Sequence, residues 1–237
     1  MGSSVNAAPT SAEHTLRYTL AQLDYALRLD QVPAFRKFVN VFVGQENELF
    51  HNHQSADKLY YRYPLVQYKS QTGKATLLGL TEAGTAALNA LMQHPVFRER
   101  CIEWIGEQFA WTEESSDTLY LYPQPTRSYH LQNYLALNET NYQKWQENPS
   151  LAARATLLER CLTAHILKFA SAIRWQLPPH SLQVQLLDYR CRPIRAFETT
   201  LLGFAVKFRT NLTLPDGIGL GKAVSHGFGI VQADPPP

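Results

Sequence analysis

The spacing of apolar and polar residues changes along the chain, and those changes mark the elements. His14 to Leu27 (HTLRYTLAQLDYAL) shows mixed alternation and predicts a first strand. Asp30 then precedes QVPAFRKFVNVFVG, where Pro33 suits a first helical turn and Gly44 suits a stop, so a helix with Asp30 as N-cap is expected. Gln45 to Leu59 is polar and irregular. Tyr60 to Leu80 holds two strand-like runs around Gln71-Thr72-Gly73, a hairpin signal. Glu82 to His94 returns to helical spacing and stops at Pro95, with a second helical or irregular stretch to about Trp111.

The second half repeats the order. Thr118 to Leu137 is strand-rich, and Asn138 and Asn148 are N-cap candidates. From Ser150 to Trp175 the residues Leu151, Leu158, Cys161, Leu162, Phe169, Ala172 and Ile173 recur at three- and four-residue steps, the clearest amphipathic helix of the chain. Leu182–Tyr189 and Phe197–Leu214 read as strands joined across RCRPIR, followed by a glycine-rich stretch and a short end at Ile230-Val231. Strand, helix and paired strands in each half suit an α+β chain of two tandem domains, each a sheet with helices on one face. The polar run WTEESSD breaks the pattern near 110–117, so the expected domains are 1–112 and 113–237.

Composition supports a folded chain: of 237 residues, 45% are hydrophobic and 18% charged. No apolar run is long enough to span a membrane. The first dozen residues lack the charged and apolar regions of a signal peptide, so a cytoplasmic protein is expected. Three widely spaced cysteines, Cys101, Cys161 and Cys191, form no Cys-x-x-Cys pair and no disulfide framework. Net charge is only +2, but it is unevenly distributed. Residues 1–149 carry 12 Lys/Arg against 15 Asp/Glu; residues 150–237 carry 10 against 5. Arg190, Arg192, Arg195, Lys207, Arg209 and Lys222 are part of that excess. Such a local cluster can hold a polyanion, or it can be a solvated hairpin face.

Two constellations could carry chemistry. The first is His51-Asn52-His53 in a polar loop, with Tyr60 seven residues on. Histidine has an unperturbed pKa of about 6.5, which suits a base that takes a ribose 2′-hydroxyl proton or an acid that protonates a leaving oxygen. A further cation or hydroxyl can steady charge developing on phosphorus. The same residues could be a solvated loop. Zinc is a further alternative, although Glu46, Glu48 and Asp57 complete no familiar ligand spacing. The second constellation runs from Asp216 to Gly229, with Gly217, Gly219, Gly221, Gly227 and Gly229 interleaved with Lys222 and His226. It matches neither a P-loop nor a dinucleotide fingerprint. It could expose amides to a phosphate chain or be a hairpin connection. His165 reads as a packed helix residue.

The final stretch GIGLGKAVSHGFGIV resembles the signature loop of the RAMP superfamily of CRISPR-associated proteins. The segment FHNHQSADKLYYRYPLVQYK resembles the repeat-processing endoribonucleases among them, the sixth numbered Cas protein. It is most similar to the subgroup with His-x-His, a Tyr, and then Arg-Tyr-Pro-Leu-x-Gln-Tyr-Lys. The resemblance implies two ferredoxin-like domains side by side that bind one CRISPR repeat RNA. It also implies metal-independent cleavage that leaves a 2′,3′-cyclic phosphate and a 5′-hydroxyl, with no cofactor. His53 would then be the general base or acid, His51 its partner, and Tyr60 the group that steadies the 2′-oxygen or the phosphate. Gly217, Gly219, Gly221, Gly227 and Gly229 would face RNA, with Lys222 supplying charge. Arg190, Arg192 and Arg195 are proposed phosphate contacts on charge alone. A non-catalytic RAMP subunit that holds guide RNA in an effector complex is the alternative. Effector subunits and a second copy of the chain stay open as partners.

Overall fold

The computed structural model describes residues 12–44, 47–51, 62–105 and 110–235. The first half runs β1 (Ala12–Ala26), a 3-10 turn (Leu29–Gln31), α1 (Val32–Asn40), α2 (Glu48–His51), β2 (Val66–Gln71), β3 (Lys74–Leu80), α3 (Thr81–Gln93), α4 (Pro95–Ile105) and β4 (Ala110–Leu121). Its sheet has the order β2-β3-β1-β4, antiparallel throughout. The second half runs β5 (Arg127–Tyr134), α5 (Glu139–Glu147), α6 (Leu151–Ala172), β6 (Val184–Ala196), β7 (Thr199–Thr210) and β8 (Ile230–Ala233). Its order, β6-β7-β5-β8, is the first order over again. The result is two ferredoxin-like α+β units. They differ after the third strand: where the first has α3 and α4 before its fourth strand, the second has the glycine-rich stretch and a 3-10 turn, Val224–His226.

Several local expectations change. WTEESSD is no break: it lies in β4, and β4 pairs with β1 from Ala12↔Leu121 to Leu23↔Ala110. The expected boundary at 112/113 therefore falls inside a strand of the first sheet. β4 is an outer strand, and Glu113, Glu114 and Ser116 are exposed, so polarity there is compatible with pairing. RCRPIR likewise lies within β6, and the turn comes later, at Phe197-Glu198. Pro193 is tolerated because β6 is an edge strand and its missing N–H costs no ladder bond there. Asp30 does not cap α1. It accepts from the Arg28 guanidinium at 3.0 and 2.8 Å, and Gln31 holds the N-cap position. Asn138 caps α5, accepting from the Asn141 amide, whereas α6 is capped by Ser150, not Asn148.

The first sheet is covered on both faces. On one, Ala21, Leu23, Val66, Tyr68, Ala75 and Leu77 pack with residues of α1, α3 and α4, among them Phe35, Leu88 and Phe97. On the other, Leu16, Leu78, Leu80 and Leu119 join a larger core with Leu131, Phe204 and Phe208 of the second sheet and Leu162, Ile166 and Phe169 of α6. Each such fully buried side chain contributes about 1.5–3 kcal/mol relative to exposure. Backbone bonds join the halves as well: Tyr122 N–H donates to Asn211 O and Thr213 N–H to Tyr120 O, both at 2.8 Å. Among the described residues no helix is long and apolar enough to cross a membrane.

Candidate functional site

The two stretches that carry the family resemblance meet in space. Tyr63, just before β2, is buried and donates its hydroxyl proton to Gly219 O at 2.8 Å. The Gly219 amide in turn donates to Gln67 Oε1 at 3.0 Å, and Gln67 Nε2 donates to Pro64 O at 3.0 Å. Burial raises the Tyr63 phenol well above its ordinary range, so it remains a protonated donor. Gly227, at φ +82°, packs beside Leu29, Val32 and the Tyr68 carbonyl, where a Cβ would come within 3.3 Å of each, closer than ordinary contact. Gly229, at φ +65°, is more tightly constrained: a Cβ there would sit 1.9 Å from Leu220 O.

This placement corrects the expectation of a loop with amides open to phosphate. The amides of Gly217, Gly219, Lys222, Gly227 and Gly229 donate to Val231 O, Gln67 Oε1, Leu135 O, Val224 O and Asn133 O respectively. Gly217, Gly219, Gly227 and Gly229 are buried and Gly221 is half-buried, leaving Lys222 as the exposed member of the predicted set. Gly229 is needed because its backbone lies against that of Leu220, and Gly219 and Gly221 because a Cβ would meet the Val224 side chain and the Tyr134 ring; the same absence of Cβ would also suit close approach to a phosphate.

His51 is the last residue of α2; His53 and Tyr60 lie outside the described residues. The preceding residue, Phe50, is buried in the first core. Its carbonyl accepts from Arg36 Nη2 at 3.3 Å, and Arg36 Nη1 lies 2.9 Å from His226 Nε2 of the glycine stretch. The guanidinium also sits 5.8 Å from the Tyr68 ring centroid. A guanidinium only donates, so Nε2 is the acceptor and the ring proton is assigned to Nδ1, 3.3 Å from Ser225 Oγ. Burial first, and Arg36 second, push the His226 pKa down to about 4. Phe197, from the β6–β7 turn, lies edge-on to this ring at 4.8 Å. Arg36 carries no sequence signal that would set it apart from other helical arginines, and nothing in the residue pattern foretold its contact with His226.

The predicted basic residues divide between faces. Strand alternation and register put Arg190, opposite Ala205, and Arg192, opposite Gly203, on one face of the second sheet. Lys207 and Arg209 share that face, while Arg195 alternates to the other. All three β6 arginines are exposed, and Arg192 donates to Asn133 Oδ1 at 2.6 Å. Lys222 lies apart from them, near His165 and Lys168 of α6. Burial first, then these two lysines, push the His165 pKa to about 4, and its Nδ1 lies 2.6 Å from the Tyr134 hydroxyl.

Paired ferredoxin-like sheets, closed by a C-terminal glycine-rich stretch that docks on Tyr63 and Gln67 at β2, define a two-domain RAMP-type protein. The sequence model of the Cas6b N-terminal domain matches residues 14–108, and that of the Cas6b C-terminal domain matches residues 122–233. The chain belongs to the Cas6b family. Among solved structures it is similar to a crystal structure of Cas6b (TM-score 0.76, 20% identity, 93% of this chain and 100% of that one). It is also similar to the CRISPR RNA processing endoribonuclease Cas6b (TM-score 0.70, 19% identity, 93% and 100%). A third likeness is to Csf5, the type IV Cas6 crRNA endonuclease (TM-score 0.53, 13% identity, 94% and 100%). At these identities the likeness is one of fold. An uncharacterized protein of Methanocaldococcus jannaschii is 31% identical over 98 residues, which is 41% of this chain and 65% of that relative.

Proposed function

We propose that this protein is an endoribonuclease that cuts CRISPR precursor RNA within each repeat. A 2′-hydroxyl attacks the adjacent phosphate without metal help, leaving a 2′,3′-cyclic phosphate and a 5′-hydroxyl. The observation that carries the reading is the match to both Cas6b domains, with His51 at the end of α2 and His53 and Tyr60 between it and β2 in the sequence. His53 serves as general base or acid and His51 as its partner. Tyr60 steadies the charge on the 2′-oxygen or the phosphate. Arg190, Arg192 and Lys222 hold phosphates, with Arg195 contributing from the other face of β6. RNA contact in the glycine stretch is made by the Lys222 side chain at its exposed edge.

The test is cleavage of a repeat RNA from an adjoining repeat–spacer array in EDTA. Full-rate cutting with cyclic-phosphate ends is expected, and replacing His53 by Ala lowers the single-turnover rate by about 100-fold with RNA binding retained. Cleavage abolished by chelator and restored by a divalent ion would refute the metal-free mechanism. Tight binding without any cutting would instead favour an RNA-holding subunit.

A further inference from the structure

We infer that Arg36, held from the second domain by His226, is a positioning residue for the α2 turn that ends in His51. The inference rests on the reading of His51 as part of the cutting site. It goes beyond that reading by assigning a task to two residues outside the histidine segment.

α2 is a single helical turn of four residues, too short to hold its shape by its own hydrogen bonds. Among the described residues it is tied to the body of the protein by the buried Phe50 side chain, by Leu49 packed on the same core, by the Glu48–Arg62 ion pair at 4.0 Å, and by the Phe50 carbonyl, which accepts from Arg36 Nη2 at 3.3 Å. Arg36 is itself anchored from several directions. α1 carries it, the Tyr68 ring lies 5.8 Å away, and its second nitrogen is 2.9 Å from His226 Nε2. His226 suits this role because it stays neutral near neutral pH and so accepts from a cation without repelling it. Phe197 lies edge-on against the same imidazole, so the acceptor has a ring of the second domain on one side and the guanidinium of the first within hydrogen-bond distance. The orientation of the His51 backbone therefore depends on a bridge between the two domains. A planar guanidinium can reach both acceptors at once, whereas a lysine ammonium offers no such fork.

The experiment compares Arg36→Lys, His226→Leu and His226→Gln in the full chain. Single-turnover cleavage of a repeat RNA is measured together with deuterium exchange of the Glu48–His51 amides. His226→Gln keeps an acceptor on a side chain of similar reach. Arg36→Lys and His226→Leu are each expected to lower the cleavage rate by about tenfold, with RNA affinity changed less than twofold. Both should also speed exchange in α2, and His226→Gln should restore both readouts to near the parent values. Equal loss for His226→Gln and His226→Leu would overturn the proposal, since packing alone would then explain the effect. So would a loss confined to RNA affinity, or unchanged α2 exchange in Arg36→Lys. Exchange is read without RNA, so it tests the bridge even if the parent chain cuts nothing. Cleavage lost on His53→Ala but retained on Arg36→Lys would leave the cutting site standing and sink the bridge.

Discussion

β2 and β6 occupy the same place in the two units, each the outer strand of a hairpin, yet they face opposite surroundings. Val66 to Lys69 of β2 are all buried, while β6 exposes eight of its thirteen residues and buries only Ile194 and Ala196. The difference comes from the glycine stretch. It stands where a second helix would lie in the C-terminal unit, packs across to the first sheet and covers β2 from the far side. β6 receives no such cover. One hairpin has become part of an inter-domain seam, and the other is left open with Arg190 and Arg192 on its surface. A duplicated strand pair is thus buried in one unit and left exposed in the other by what is laid over it.

Substitutions at four residues would break or sharpen that contrast. The largest effect is expected at Lys69, fully buried on β2, whose ammonium has no hydrogen-bond partner among the described residues. Burial lowers its pKa to about 7. The unfolded chain then binds more protons than the folded one between about pH 7 and 10.5, so stability rises with pH across that window and the full penalty acts below it. Lys69→Met should raise unfolding free energy by about 4 kcal/mol at pH 7 and flatten the rise with pH, as read by urea titration. Arg190→Met, at the exposed counterpart strand, should stay within about 0.5 kcal/mol. Next is Gly229→Ala, which combines a left-handed backbone with overlap on Leu220 O. A loss of about 3 kcal/mol is expected in the same titration, and a neutral result would mean that the stretch repacks freely. The smallest effect belongs to the open strand. Replacing Arg190 and Arg192 by Ala should weaken repeat RNA binding about tenfold and reduce its logarithmic salt slope by about 1.5, with melting unchanged. An unchanged slope would remove that face from RNA contact.

The sequence revealed elements better than the relations between them. The α6 helix and the β2–β3 turn followed from periodicity and from Thr72-Gly73, both at positive φ. β4 was hidden because an outer strand with one watery face can carry Glu113 and Glu114 and still pair. β6 was interrupted on paper by Pro193, a residue that an edge strand accepts. The glycines were visible and their purpose was not, since close approach to a phosphate and close approach to another backbone demand the same absence of Cβ. His51 was a candidate from its sequence neighbours alone, whereas Arg36 was not, because its contact with His226 joins residues 190 positions apart.

The core shared by Leu78, Leu119, Phe169 and Phe208 makes the molecule one thermodynamic body with two architectural modules. Severed after Tyr122, the first module would turn Leu16, Leu78, Leu80 and Leu119 to water and lose both backbone links that zip the tail of β4 to Asn211 and Thr213. Neither piece would keep the fold of its parent, so the histidine segment and the arginine-bearing strand stand or melt together.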